Sequence, residues 1–108
     1  MFSKKDTEGY REITDGIKMK PLVHGSKSLL TEIVFEKDSS IETHSHPHEQ
    51  TGYLISGSFK LTIEGENYQV EPGDSWCIEG GTEHSAKFYE DSVAVEVFSP
   101  VREEYLNM

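Results

Sequence analysis

The chain is 108 residues long, 34% hydrophobic and 28% charged, with a formal net charge of -10. That length holds one domain around one core. It excludes a TIM barrel, which runs to roughly 250 residues, and a two-domain dinucleotide enzyme. So acidic a surface repels phosphate backbones and anionic headgroups, which argues against nucleic-acid and membrane partners.

Val, Ile and Thr together number 21 against 8 for Ala and Leu, a choice that favours strands over helices. The first 15 residues are polar and aperiodic and read as a loose arm, with residues 16–108 as the single domain. Ile17, Met19 and Val23 suggest a first strand, which Pro21 confines to an edge or a bend. Leu29 to Glu36 is a fuller strand that ends at the turn Lys37-Asp38-Ser39-Ser40. From Ser58 to Glu64 the alternation is clean, with Phe59, Leu61 and Ile63 on one face. Gly65-Glu66 turns the chain into Asn67 to Glu71, and Pro72-Gly73 presets a tight turn. Trp76 to Ile78 is a short strand, and Glu83 to Tyr89 and Ser92 to Phe98 read as a hairpin across Glu90-Asp91. Pro100 stops that strand and begins a short helical turn through Tyr105. Seven or more strands at this spacing predict an all-β antiparallel barrel or jelly roll. The low apolar fraction predicts a homodimer that buries further surface.

The only cysteine, Cys77, rules out an internal disulfide and fits a reducing compartment. Its place between Trp76 and Ile78 predicts a packed thiol rather than a nucleophile. The opening MFSKKDTEGYREITDG lacks the apolar run of a signal peptide, and no segment nears the roughly 18 apolar residues of a membrane span. The expectation is a soluble, cytoplasmic protein.

Three of the five histidines fall in His44-Ser45-His46-Pro47-His48. In a strand, His44 and His46 project from one face, as two ligands of one metal must. Gln50 follows four residues after His46, and His84 opens a later strand. Neutral imidazoles with an amide oxygen suit one divalent transition metal, whether Zn, Fe, Ni or Mn. Pro47 interrupts the alternation, which puts His48 at the pocket rim rather than among the ligands. Further on, Ala94, Glu96 and Phe98 share one strand face, opposite Val93, Val95 and Val97. A carboxylate and an aromatic ring could therefore line a barrel interior. Arg102, just past that strand, is the only arginine between residues 44 and 108, a stretch with 3 Lys/Arg against 12 Asp/Glu. An alternative stays open, in which Glu96 faces outward, Phe98 is core, and Arg102 is tied to Glu103 or Glu104.

The spacing His44-x-His46-x3-Gln50-x6-Gly57, followed by Pro72-Gly73-Asp74 and His84, resembles the cupin superfamily over about residues 17–104. The resemblance implies a single jelly-roll barrel of two antiparallel sheets, with metal ligands at His44, His46, Gln50 and His84. Glu is the commoner residue where this chain has Gln50. The ending Val95 to Tyr105, together with HSHPHEQ upstream, looks like the small cupins of pectin and alginate breakdown. Those proteins convert 4,5-unsaturated uronates from the cyclic to the linear keto form. This likeness implies a proton-transfer role for Glu96, where these relatives usually carry Asp. It also implies a carboxylate-binding role for Arg102 and a sugar-facing role for Phe98. Two other readings fit the fold: a metal-dependent dioxygenase of another small molecule, and a non-catalytic metal or small-ligand binding module.

Overall fold

In the computed structural model, which describes residues 1–108, the strand signals become two facing antiparallel sheets. In chain order the strands are β1 (Arg11–Thr14), β2 (Ile17–His24), β3 (Leu29–Phe35), β4 (Ser40–His44) and β5 (Glu49–Ser56). They continue with β6 (Phe59–Ile63), β7 (Glu66–Val70), β8 (Ser75–Ile78), β9 (His84–Phe88) and β10 (Ser92–Ser99), before one helical turn, α1 (Glu103–Leu106). One sheet runs β1-β2-β3-β10-β5-β8 and the other β4-β9-β6-β7, so the chain crosses repeatedly between layers, as a jelly roll does.

β3 and β10 show why the sheets face each other. Every second residue of each is buried, and the buried sets meet in register: Ala94 against Ile33, Glu96 against Thr31 and Phe98 against Leu29. The two layers are joined by aromatic packing. Phe35 stacks on Phe88 with ring centroids 3.9 Å apart, and Phe88 stacks on Phe59 at 4.7 Å. Trp76 meets Phe59 edge-on at 5.3 Å. Burying such rings is the largest single contribution a small barrel can make to its stability. Phe88 lies at one end of β9 and His84 at the other, so the aromatic core occupies one end of the barrel and polar side chains hold its mouth.

Four local expectations are corrected. Residues 11–14 are not loose; they form β1 and pair with β2, on the strength of one inward residue, Ile13. Glu83 to Tyr89 and Ser92 to Phe98 are not a hairpin, because β9 and β10 belong to different sheets and the turn at Glu90-Asp91 carries the chain between layers. The β6–β7 turn falls on Glu64 and Gly65, both with positive φ, one residue earlier than read. Cys77 is exposed rather than packed: on the edge strand β8 the inward place goes to Trp76, and its neighbour must face out.

Candidate metal centre

His44 closes β4 and His84 opens β9, and the two are register partners across that ladder. His46 is not on the strand. The chain leaves the ladder after His44, and the loop 45–48, turned by Pro47, brings the His46 ring back beside the other two. The loop is pinned by the Gly81 N–H, which donates to the His46 carbonyl at 2.8 Å. It passes so close to Gly80 that a Cβ there would sit 2.3 Å from the Pro47 carbonyl oxygen.

The donor atoms of His44, His46 and His84 lie within 4.8 Å of one another. Each ring spends its Nδ1 on a backbone carbonyl: His44 on Glu42 at 2.9 Å, His46 on His48 at 3.0 Å and His84 on Thr82 at 2.9 Å. A carbonyl only accepts, so the proton sits on Nδ1 and each Nε2 keeps a lone pair for the common centre. Burial, reinforced by the charge of Arg102, pushes His46 down to about 4 and holds His84 below its ordinary value as well. Both rings are therefore neutral at neutral pH, the form that binds metals.

Gln50 sits at the start of β5, directly opposite Phe98 of β10. Its Oε1 is 2.9 Å from His46 Nε2, and its Nε2 donates to Glu96 Oε2. With the His46 proton on Nδ1, two lone pairs face each other across that 2.9 Å gap. Flipping the amide would satisfy both sides only while Glu96 is protonated, because an ionised carboxylate cannot donate to the amide oxygen. A shared cation satisfies both atoms, so the donor set fits a divalent metal. Glu96 itself is 5% exposed, and burial pushes its carboxyl up to about 7 against hydrogen bonds from Gln50 and Trp76 and the charge of Arg102. Trp76 reaches across β5 because residue 52 is glycine; a Cβ there would lie 2.2 Å from the indole.

An interior cavity of about 60 Å³ is walled by His44, His84, Gln50, Glu96, Phe98, Arg102 and Tyr105, among others. The sequence left two arrangements open for the last strand, and the structure combines them. Glu96 faces inward; Phe98 is 1% exposed and forms both core and cavity wall; Arg102 donates through Nε to Glu104 at 2.9 Å. The Arg102 guanidinium lies 5.2 Å over the Phe98 ring and 4.1 Å over that of Tyr105. His48 stays outside the three-histidine group, with its ring 5.9 Å from that of His46 and its buried Nδ1 without a partner. His24, at the end of β2, is likewise outside it. The sequence pattern assigns neither Trp76 nor Tyr105 a place at the site. Tyr105 could have been found, since a residue three after Arg102 in a helical turn shares its face.

Comparison with known proteins agrees with this architecture. Residues 31–100 match the Cupin_2 family of cupin domains. The pectin degradation protein KdgF of Dickeya dadantii (strain 3937) is 31% identical over 103 residues, 94% of each chain. The structure of KdgF from Halomonas sp. superposes with a TM-score of 0.85 at 29% identity over 90% of each chain. An RmlC-like cupin from Shewanella frigidimarina NCIMB 400 gives 0.90 at 26% identity, over 96% of this chain and 94% of that one. The matched segment carries all three histidines of the cluster, and the chain belongs to the cupin family.

Proposed function

We propose that the chain is a metal-dependent enzyme that converts a cyclic 4,5-unsaturated uronate to its linear keto form. The relative from Dickeya is named for pectin degradation, which supports this substrate class. The observation that carries the reading is Glu96: a buried carboxyl that lines the same cavity as His44 and His84 and accepts from the Gln50 amide, whose oxygen faces His46 Nε2. In this reading His44, His46, His84 and the amide oxygen of Gln50 hold one divalent ion, nickel, zinc, iron or manganese. Such an ion, when bound, makes a coordinated hydroxyl more acidic and steadies negative charge on oxygen.

The chain's own residues then move a proton and hold the substrate. Glu96, poised at about 7, can take a proton and return it at neutral pH. It accepts the proton of the hydroxyl on the anomeric carbon while the bond from that carbon to the ring oxygen breaks. The anomeric carbon becomes an aldehyde, and the ring oxygen leaves as an enolate over C4 and C5. Returning the proton to C4 leaves a ketone at C5, so no atom is gained or lost. Arg102 uses only Nε on Glu104, which leaves its two terminal nitrogens to pair with the uronate carboxylate. Phe98 lines the cavity and lies 5.2 Å beneath that guanidinium, so in this reading it steadies Arg102 and packs against the sugar at the cavity mouth.

The test follows the double-bond absorbance of a 4,5-unsaturated galacturonate with protein as purified, after chelation, and after re-addition of single metals. The expected result is acceleration over the spontaneous reaction, lost on chelation and restored by metal. Protein with a full metal site and no acceleration overturns the reaction.

A further inference from the structure

The interior cavity is too small for a sugar acid. At about 60 Å³ it takes a few waters, whereas small-molecule pockets run from roughly 300 to 1,000 Å³. Outside it lies a groove of about 370 Å³, walled by Ile13, Ile41, His44, Arg102, Tyr105 and Met108 among others. Ile13, Ile41, His44, Arg102 and Tyr105 border both spaces, so they form the partition between them. The groove offers an apolar wall, a cation with free donors and one imidazole of the histidine cluster, alongside the carboxylate of Glu104.

We propose that this outer groove is the subsite for the sugar ring, with Tyr105 as its stacking platform and only the reacting edge of the ring reaching past His44. The ligand class is a single pyranose acid. Its carboxylate meets the terminal nitrogens of Arg102, its hydroxyls away from the anomeric carbon stay toward solvent, and its C–H face lies on Tyr105. Three contacts fix the platform. The Tyr105 ring lies edge-on to Phe98 at 5.3 Å and beneath the Arg102 guanidinium at 4.1 Å. Its backbone carbonyl accepts from Arg11 Nη1 of β1 at 2.9 Å. Both arginines of the chain, Arg11 and Arg102, therefore converge on one tyrosine at the mouth. Carboxylate and ring recognition share a single rigid unit, and an uncharged sugar gains only the stacking part. The inference rests on the proposed substrate class, but the groove's geometry stands independently of the reaction.

The experiment uses saturated galacturonate, which cannot react, titrated into the full-length protein with its tyrosine rings isotope-labelled. Tyr105→Phe identifies the Tyr105 resonances. The expected result is that these resonances shift on titration and that the methyl ester, which lacks the charge, binds more weakly. Tyr105→Leu, which keeps an apolar side chain over Phe98, is expected to weaken binding by about three- to tenfold, and Tyr105→Phe to leave it unchanged. Galacturonate that does not bind, that binds without moving the Tyr105 resonances, or that binds Tyr105→Leu as tightly as wild type overturns the subsite. Turnover of the unsaturated sugar is scored separately. Shifted Tyr105 resonances without turnover remove the reaction and keep the subsite. Turnover with unmoved resonances removes the subsite alone.

Discussion

Glu96 owes its chemistry to parity. On β10 the even positions Ala94, Glu96 and Phe98 are buried and the odd ones between 93 and 97 are valines, so the strand carries one carboxyl into an apolar interior. Replacing it with Gln keeps the shape and the hydrogen bond but removes the exchangeable proton. Turnover is expected to fall by about 10² to 10⁴ with metal content unchanged, measured by the absorbance assay beside metal analysis. Tyr105 gives a second prediction. Burial pushes its phenol up to about 12 from an ordinary 10, with the carboxylates of Glu96 and Glu104 adding to the rise and Arg102 opposing it. Between pH 10 and 12 the unfolded chain therefore releases this proton while the folded chain keeps it. Stability falls as pH rises through that window, by about 2 to 3 kcal/mol in all. Tyr10, hydrogen-bonded to Glu32, is also raised to about 12, so the comparison must be wild type against Tyr105→Phe. The Tyr105→Phe protein should lose less stability above pH 10, and equal losses would remove the assignment. That Glu96 shares a face with Ala94 and Phe98 was legible because alternation along a strand is local, whereas the direction of that face stayed open until the sheets were placed. The contact of Arg102 with Glu104 was one of two readings, and sequence alone held nothing to choose between them.

The loop 45–48 shows where pattern reading stops. A His-x-His spacing says that two imidazoles share a face only if the strand continues, and here it ends at His44. What restores the geometry is remote: the Gly81 N–H on the His46 carbonyl, and a bare Cα at Gly80 against Pro47. No periodicity encodes that approach. Gly80→Ala would force the loop outward, because its Cβ meets backbone rather than a flexible side chain. Metal affinity is expected to fall about 10- to 100-fold while the circular dichroism of the sheets is kept; unchanged affinity would show that the loop is not what places His46. β1 was missed for a related reason. One inward isoleucine in a polar tetrapeptide carries no period, yet it is enough to add an edge strand to a sheet already formed. The β9–β10 connection was misread because a two-residue turn between strands looks the same whether the strands pair or part.

Across the whole molecule, the class of fold was readable from turns and alternation, whereas the pairing order was not, because it depends on contacts far apart in the chain. The outer face of the larger sheet carries the half-buried Val93, Val95 and Val97, with Leu30 and Val34 of β3 on one side. On the other side are Tyr53 and Ile55 of β5, 46% and 51% exposed. Three alternate valines flanked by these residues make an outward apolar patch of the kind a second copy covers by presenting the same patch. A second copy is the expected cover. Sedimentation should give twice 12.2 kDa for the wild type and the monomer mass for Val95→Lys. A monomeric wild type would remove the dimer. The double ladder of β10 also limits how the gene can change length. Seven register pairs join the strand to β3 and seven to β5, and its one irregularity, at Val93 and Ala94, is already in use. A codon gained or lost within the strand would exchange Glu96 and Phe98 for valines and leave the product foldable but chemically blank. Insertions accumulating in this lineage should therefore gather around residues 89–91, where the ladder has no claim on them.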